Sequence, residues 1–233
     1  MSEVNIKENL ATVNENIKIA CEKAQRDISE VTLISVSKTK PVEMIEEAIN
    51  AGATIFGENK AQEMRDKSLV LPDNIEWHFI GHLQTNKVKY VVGTAALIHS
   101  VDSLHLAEAI SKESVKKDVI SNILIEVNVA QEESKFGLTL KNAEDEIRKI
   151  ALLPNIKIKG LMTIAPYTEN PESNRIFFKK LRELKVDIEG KNIDNIDMSV
   201  LSMGMTGDYM VAIEEGATYI RVGTGIFGER NYN

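Results

Sequence analysis

Eight times in succession, a short run of β-branched and aliphatic residues gives way to a stretch with apolar side chains at helical spacing, and this alternation restricts the fold more than any other feature of the 233-residue chain. Strands are predicted over 31–36, 53–56, 76–80, 96–100, 121–129, 156–163, 196–201 and 218–222. Between them the spacing predicts helices over 41–51, 59–68, 84–91, 103–116, 139–151, 171–186 and 206–215, with a short helix after the last strand. Several strands, such as Asn122 to Val129, are nearly continuous apolar runs, the pattern of parallel strands covered on both faces. A further amphipathic helix over about 5–28, carrying Ile6, Leu10, Val13, Ile17, Ile19 and Ala20, precedes the first strand.

Such a chain can close into a barrel or stay an open, doubly wound sheet. Eight units within about 200 residues favour a single (β/α)8 TIM barrel with an extra N-terminal helix. A dinucleotide-binding sheet usually has a glycine-rich turn after its first strand, whereas Ser37-Lys38-Thr39-Lys40-Pro41 has no glycine. The punctuation agrees: Pro41 opens a helix, Gly52 follows one, and Asp102 and Ser103 can cap another. No Pro/Gly/Ser-rich linker or shift of composition interrupts 1–233, so one domain is expected.

Composition removes several functions. A formal charge of −7 opposes nucleic-acid binding, and the pairs Lys116-Lys117 and Lys179-Lys180 lie in mixed-charge helices. No apolar run reaches the roughly 18 residues of a membrane span, and the N-terminus lacks the pattern of a signal peptide. A cytoplasmic protein, monomeric or weakly dimeric, is expected. Cys21 is the only cysteine, which excludes an intrachain disulfide and a cysteine-based metal site. His78, His82, His99 and His105 lack the spacing of paired metal ligands.

In a parallel barrel the chemistry gathers where strands end and βα loops begin. Lys38 stands there after the first strand. An amine sheltered beneath the loops loses solvent and can become nucleophilic enough to condense with an aldehyde. An isolated lysine in that place is also a common surface charge, and Lys40 shares the loop. After strands seven and eight, Ser202 and Thr224 offer hydroxyls, and Gly204, Gly223 and Gly225 allow backbone amides to approach an anion closely. Phosphate sites of barrels commonly use those two loops. An amine and a phosphate cradle together suggest pyridoxal 5′-phosphate. Arg221, two residues before Gly223, faces the same side, where it must meet either a carboxylate such as Glu126 or a cofactor's ring nitrogen.

Taken in order, Ser35-Val36-Ser37-Lys38-Thr39-Lys40-Pro41, Phe56-Gly57-Glu58-Asn59, the run from Trp77 to Lys87, Glu133-Ser134-Lys135-Phe136-Gly137, Leu201-Ser202-Met203-Gly204-Met205 and Arg221-Val222-Gly223-Thr224-Gly225-Ile226-Phe227-Gly228 resemble the pyridoxal-phosphate homeostasis proteins. The resemblance implies a barrel like the N-terminal domain of alanine racemase, with pyridoxal phosphate held as a Schiff base on Lys38. It implies that Ser202, Gly223 and Thr224 hold the phosphate, that Arg221 faces the pyridine nitrogen, and that Asn59, His82 and Met162 line the same mouth. Thr206 stands where many relatives have serine and keeps the hydroxyl. The roles of Lys40 and Lys135 stay open.

The function so implied is cofactor homeostasis, with transfer to apo forms of pyridoxal-phosphate-dependent enzymes as an extension. An arginine at the ring nitrogen would disfavour its protonation and weaken the ring as an electron sink. The chain also ends after the eighth unit, where an alanine racemase continues into the domain that supplies a second acid/base. The alternatives are a weak amino-acid racemase or lyase on the same cofactor, with Tyr167 or Tyr209 as second base, and a cofactor-free Schiff-base aldolase.

Overall fold

The computed structural model describes residues 4–132 and 135–229. Its strands are β1 (Thr32–Val36), β2 (Ile55–Glu58), β3 (Glu76–Phe79), β4 (Leu97–Val101), β5 (Ser121–Glu126), β6 (Ile156–Met162), β7 (Ile196–Met205) and β8 (Tyr219–Val222). They pair in parallel in chain order, and β8 pairs back onto β1 with Ile34 beside Arg221, which closes the barrel. The expected eight-stranded architecture is therefore the observed one. Because no edge strand is left, every strand finds partners for its backbone groups on both sides.

The helices that alternate with these strands are α2 (Val42–Asn50), α3 (Ala61–Ser68), α4 (Val88–Val91), α5 (Leu104–Lys117), α6 (Ala143–Ile150), α7 (Arg175–Gly190), α8 (Tyr209–Glu214) and α9 (Thr224–Phe227). Their apolar faces and the outward strand residues, among them Phe56, Phe79, Ile98, Ile123 and Ile220, form one continuous buried cluster. Side-chain burial of this kind contributes about 1.5–3 kcal/mol for each large aliphatic residue.

Ahead of the barrel, α1 (Ile6–Lys23) begins where the Asn5 side chain accepts the Glu8 amide. It buries Ile6, Leu10, Val13, Ile17, Ala20 and Cys21 against α2, α8 and α9. Two side chains fix it there: Asn9 donates to the Ile226 carbonyl and Asn16 to the Tyr209 hydroxyl. The extra helix thus braces the two helices that follow β7 and β8. It stops at Lys23 rather than near 28, because Gln25 takes a left-handed conformation (φ +55°).

Two boundaries matter for function. Strand β7 runs to Met205, four residues beyond its predicted end, and its pairing with β8 shifts register between Ser202 and Met205. Such an irregularity at a strand's mouth re-aims the side chains beyond it. Inside the barrel the apolar filling is small. Leu97, Leu124, Met162 and Val200 make a separate cluster with Ile164 and Tyr219 against it, and much of the remaining axis is polar: His78, His99, Ser202 and Arg221 are all buried.

Candidate functional site

The turn after β1 is fixed from behind. Ser37 donates its hydroxyl to Glu58 Oε1 (2.6 Å) and its carbonyl accepts from Lys67 Nζ (2.9 Å). Lys67 also donates to Glu58 Oε1 and Glu63 Oε1, each at 2.7 Å. Glu63 in turn accepts the Thr39 amide at 2.6 Å, and Thr39 is held at φ +64°. Burial pushes the Glu58 carboxyl above its ordinary value, while Lys67 and Ser37 pull it back toward the charged form. A buried charge is tolerable only with such partners. The ion pair clamps the residues on either side of Lys38 and leaves the Lys38 side chain on a cavity wall.

Lys40, unresolved from Lys38 by sequence, has a different position. Its ammonium donates to the carbonyls of Phe227, Gly228 and Glu229 at 2.8, 3.1 and 2.9 Å. An ammonium has three protons, so these carbonyls fasten the first βα turn to the segment after α9.

Across the barrel mouth, the backbone amides of Gly223 and Gly225 both point at Thr206 Oγ1, each at 3.4 Å. The turn bearing Thr206 is closed by Asp208, which accepts the Met205 amide (2.7 Å) and the Asn174 side-chain amide (2.7 Å). Gly204 makes this arrangement possible. It sits at φ +91°, and a Cβ there would lie 2.5 Å from Ala212 Cβ, so β7 and α8 pack too closely for any side chain.

Arg221 is buried at the floor of the cavity. It donates to Ser202 Oγ (2.5 Å) and to the Thr163 carbonyl (2.8 Å). Burial brings its guanidinium down to about 10, opposed by Asp208 and Glu126, so it keeps its charge at neutral pH. Asn59 stands on another wall, with its side-chain oxygen buried and without a hydrogen-bond partner among the described residues. Gly81 holds Asn59 in place: a Cβ at Gly81 would come 2.4 Å from the Asn59 carbonyl oxygen.

Lys38, Asn59, Thr206, Arg221, Gly223 and Thr224 all border one cavity of about 540 Å³, together with the apolar walls Val36, Ile80 and Ile164 and the rim residues Tyr167 and Met205. That volume suits a cofactor-sized molecule. An amine, an amide-and-hydroxyl corner suited to an anion, a fixed guanidinium and an orphaned buried acceptor thus converge on one space.

Three expected members lie elsewhere. Ser202 is fully buried one step below the cavity, bonded to Arg221 and to His99 Nδ1 (2.8 Å). It falls inside the longer β7, and Thr206 is the hydroxyl at the glycine amides. Met162 packs in the interior apolar cluster, because β6 ends there with its side chain pointing down among Leu97, Leu124 and Val200. His82 stands aside from the cavity wall, stacked on Phe136 with ring centroids 3.8 Å apart and 3.4 Å from Asp102. Tyr209 is buried with its hydroxyl bonded to Asn16 of α1, whereas Tyr167 is 94% exposed at the rim. Glu133 and Ser134 of the fourth motif lie outside the described residues. Thr206, expected only to keep a hydroxyl at the end of strand seven, is a wall residue of the cavity, and its place between Gly204 and Gly207 was a usable signal.

Comparison with known proteins gives the arrangement a family. The model of the alanine racemase N-terminal domain matches residues 9–231. A pyridoxal phosphate homeostasis protein of Aquifex aeolicus is 48% identical over 230 residues, 98% of this chain and 100% of the relative. The chain belongs to the pyridoxal phosphate homeostasis protein family. Another family member, from Escherichia coli K12, is 37% identical over 233 residues, covering 98% of each chain. Among solved structures, PipY of Synechococcus elongatus with PLP bound superposes with a TM-score of 0.82 at 32% identity, over 96% of this chain and 100% of PipY. An alanine racemase of Clostridium difficile shares the fold alone, with a TM-score of 0.75 at 12% identity over 98% of this chain and 58% of the racemase.

Proposed function

We propose that this chain binds pyridoxal 5′-phosphate in the cavity at the C-terminal end of the barrel, covalently through Lys38, and serves intracellular homeostasis of that cofactor. The observation that carries the reading is the convergence of Lys38, Asn59, Arg221 and the Thr206–Gly223–Gly225 corner on one space. These residues fit the group: an amine for its aldehyde, amides and hydroxyls for its phosphate, a cationic donor for its ring nitrogen, and an unpartnered buried acceptor. The name of the Aquifex aeolicus relative and the bound ligand of PipY support the same reading. When bound, the cofactor supplies an aldehyde that condenses reversibly with primary amines.

Each residue has a task derived from its position. The Ser37–Glu58–Lys67 clamp fixes the backbone from which Lys38 extends. Thr206, Gly223 and Gly225 offer a hydroxyl and two amides to an anion, with Thr224 at the same corner. Arg221, cationic at neutral pH, donates hydrogen bonds and accepts none. Val36, Ile80 and Ile164 supply apolar walls to the same cavity. Tyr167 and Met205 are exposed at the rim, so an outside amine can approach, and handover to a lysine of an acceptor apo-enzyme follows as part of the proposal. No helix among the described residues is long and apolar enough to cross a membrane, in keeping with the cytoplasmic location we propose.

Titration of the purified chain with pyridoxal phosphate tests the reading. A visible absorption band that borohydride erases, present in the wild type and absent in Lys38→Ala, is the expected result. An unchanged band in Lys38→Ala would refute the assignment of Lys38. For handover, labelled cofactor should reach an apo-enzyme faster than it escapes to a free trap; equal rates would refute direct transfer.

A further inference from the structure

The interior of the barrel carries a hydrogen-bonded chain that spans it from end to end. Arg221 Nη1 meets Ser202 Oγ at 2.5 Å, Ser202 Oγ meets His99 Nδ1 at 2.8 Å, His99 Nε2 meets His78 Nδ1 at 2.9 Å, and His78 Nε2 meets Glu76 Oε1 at 2.7 Å. The upper end is on the wall of the cavity that holds Lys38. The lower end lies at the N-terminal mouth of the barrel, where Glu76 borders a second cavity of about 560 Å³ with Trp77, Ala96 and Asn122.

The arginine at the cavity end sets a direction for the chain. Arginine can only donate, so Ser202 Oγ accepts from it and has its own proton left for His99 Nδ1. His99 is completely buried, and that burial, with His78 and Arg221 nearby, holds it well below the ordinary histidine value, so its ring is neutral. A neutral ring that accepts at Nδ1 carries its proton on Nε2, which it donates to His78 Nδ1. His78 then donates from Nε2 to the Glu76 carboxylate, and that hydrogen bond in turn lowers the Glu76 carboxyl. With His78 uncharged, every donor points toward Glu76; an imidazolium at His78 would instead donate to both Glu76 and His99 Nε2 and leave His99 Nδ1–H to donate to Ser202 Oγ, so the tautomer of His99 reads the direction of the chain.

We propose that Glu76, His78, His99 and Ser202 are positioning residues for Arg221: their one-way hydrogen-bond chain orients the guanidinium at the cavity and transmits the charge of Glu76 to the group that Arg221 meets there. This rests on the reading of the cavity as a pyridoxal phosphate site. Barrel interiors are ordinarily filled by bulky aliphatic residues, and the Leu97–Leu124–Met162–Val200 cluster shows that this one accepts them. Histidines serving packing alone would form a closed set. This chain instead starts at the ligand cavity and ends on a carboxylate whose side chain is 49% exposed.

Nitrogen-15 NMR of the imidazoles in the cofactor-free protein, followed by the visible spectrum after loading, tests the inference in wild type, Glu76→Leu, Glu76→Gln and Ser202→Ala. Glu76 is half-exposed, so its two variants retain the fold, which circular dichroism verifies. In the wild type both His78 and His99 should be Nε2–H tautomers with slowly exchanging ring protons. Glu76→Leu should shift the His99 ring nitrogens across the intervening His78, and Glu76→Gln, which keeps an acceptor oxygen, should restore most of the shift. After loading, Glu76→Leu and Ser202→Ala should displace the absorption maximum in the same direction. A His99 found as the Nδ1–H tautomer or as imidazolium would overturn the chain's direction, and an unmoved His99 and unmoved spectrum in Glu76→Leu would overturn its role. If the wild type shows the ordered chain but takes up no pyridoxal phosphate, the binding reading fails, and the role given to the chain fails with it.

Discussion

Replacing Lys67 by methionine isolates the clamp behind Lys38. Lys67 is 7% exposed and Glu58 is fully buried. The ammonium holds Glu58, Glu63 and the Ser37 carbonyl at 2.7, 2.7 and 2.9 Å. Methionine fills most of the same volume but leaves the Glu58 charge buried with only the Ser37 hydroxyl. Removing one partner of a buried pair costs about 3–5 kcal/mol. Glu63, being nearer the surface, rehydrates and adds little. For a chain of this length about 2–4 °C of melting temperature is lost per kcal/mol, so Lys67→Met should melt roughly 6–20 °C lower. The companion Lys67→Met/Glu58→Leu removes the stranded charge and should recover most of that loss, because apolar replacement of a whole buried pair is often neutral. Urea denaturation and thermal melts of wild type and the variants Lys67→Met, Glu58→Leu and the double form a mutant cycle. A single Lys67→Met costing under about 1 kcal/mol, or a double variant no better than the worse single, would refute the clamp argument.

Glu126 predicts a pH dependence. Burial raises its carboxyl to about 7, reinforced by Asp102 and opposed by Arg221 and Lys135. The folded state therefore keeps a proton that the unfolded chain gives up near 4.5. Stability from this group is fully present below about 4.5 and lost as pH rises through about 7, on the order of 3 kcal/mol in all. Glu126→Gln should flatten the fall in urea stability between pH 5 and 7, and an unchanged slope counts against the assignment. Lys40→Met removes three carbonyl contacts and should lower the melting temperature while leaving the cofactor band; loss of the band would mean that Lys40 takes part in binding. Gly81→Ala drives a methyl group into the Asn59 backbone, which must shift, and should both lower the melting temperature and weaken pyridoxal phosphate binding in equilibrium titration; unchanged binding would count against Asn59 as a wall of the site.

The barrel was legible because its signals are local. Each strand-and-helix unit carries its own periodicity, and Lys38, Gly223 and Thr224 follow from the rule that strands end at the functional face. What stayed hidden depended on long-range geometry. Nothing around Ser202 announces that β7 continues to Met205 with a shifted register, and that shift sends Ser202 below the cavity and brings Thr206 to the glycine amides. Lys40 and Lys38 are two residues apart with the same chemistry. Only the return of the chain at Phe227 to Glu229, nearly 190 residues later, shows that Lys40 is engaged elsewhere. The Arg221–Ser202–His99–His78–Glu76 chain joins four strands, and from sequence its histidines look like isolated buried residues. Asn59 was found by resemblance, but its orphaned oxygen is visible only once Gly81 has packed against it.

Site-localised mass spectrometry decides whether Lys38 is the covalent anchor in this cavity. The chain is saturated with pyridoxal phosphate, reduced with borohydride and digested, and the modified lysine is identified by fragmentation. A pyridoxyl group on Lys38 in nearly all molecules and none on Lys40, with the label lost in Lys38→Ala, is the expected result. Label on Lys40, or label scattered over surface lysines with Lys38 unmodified, would contradict it.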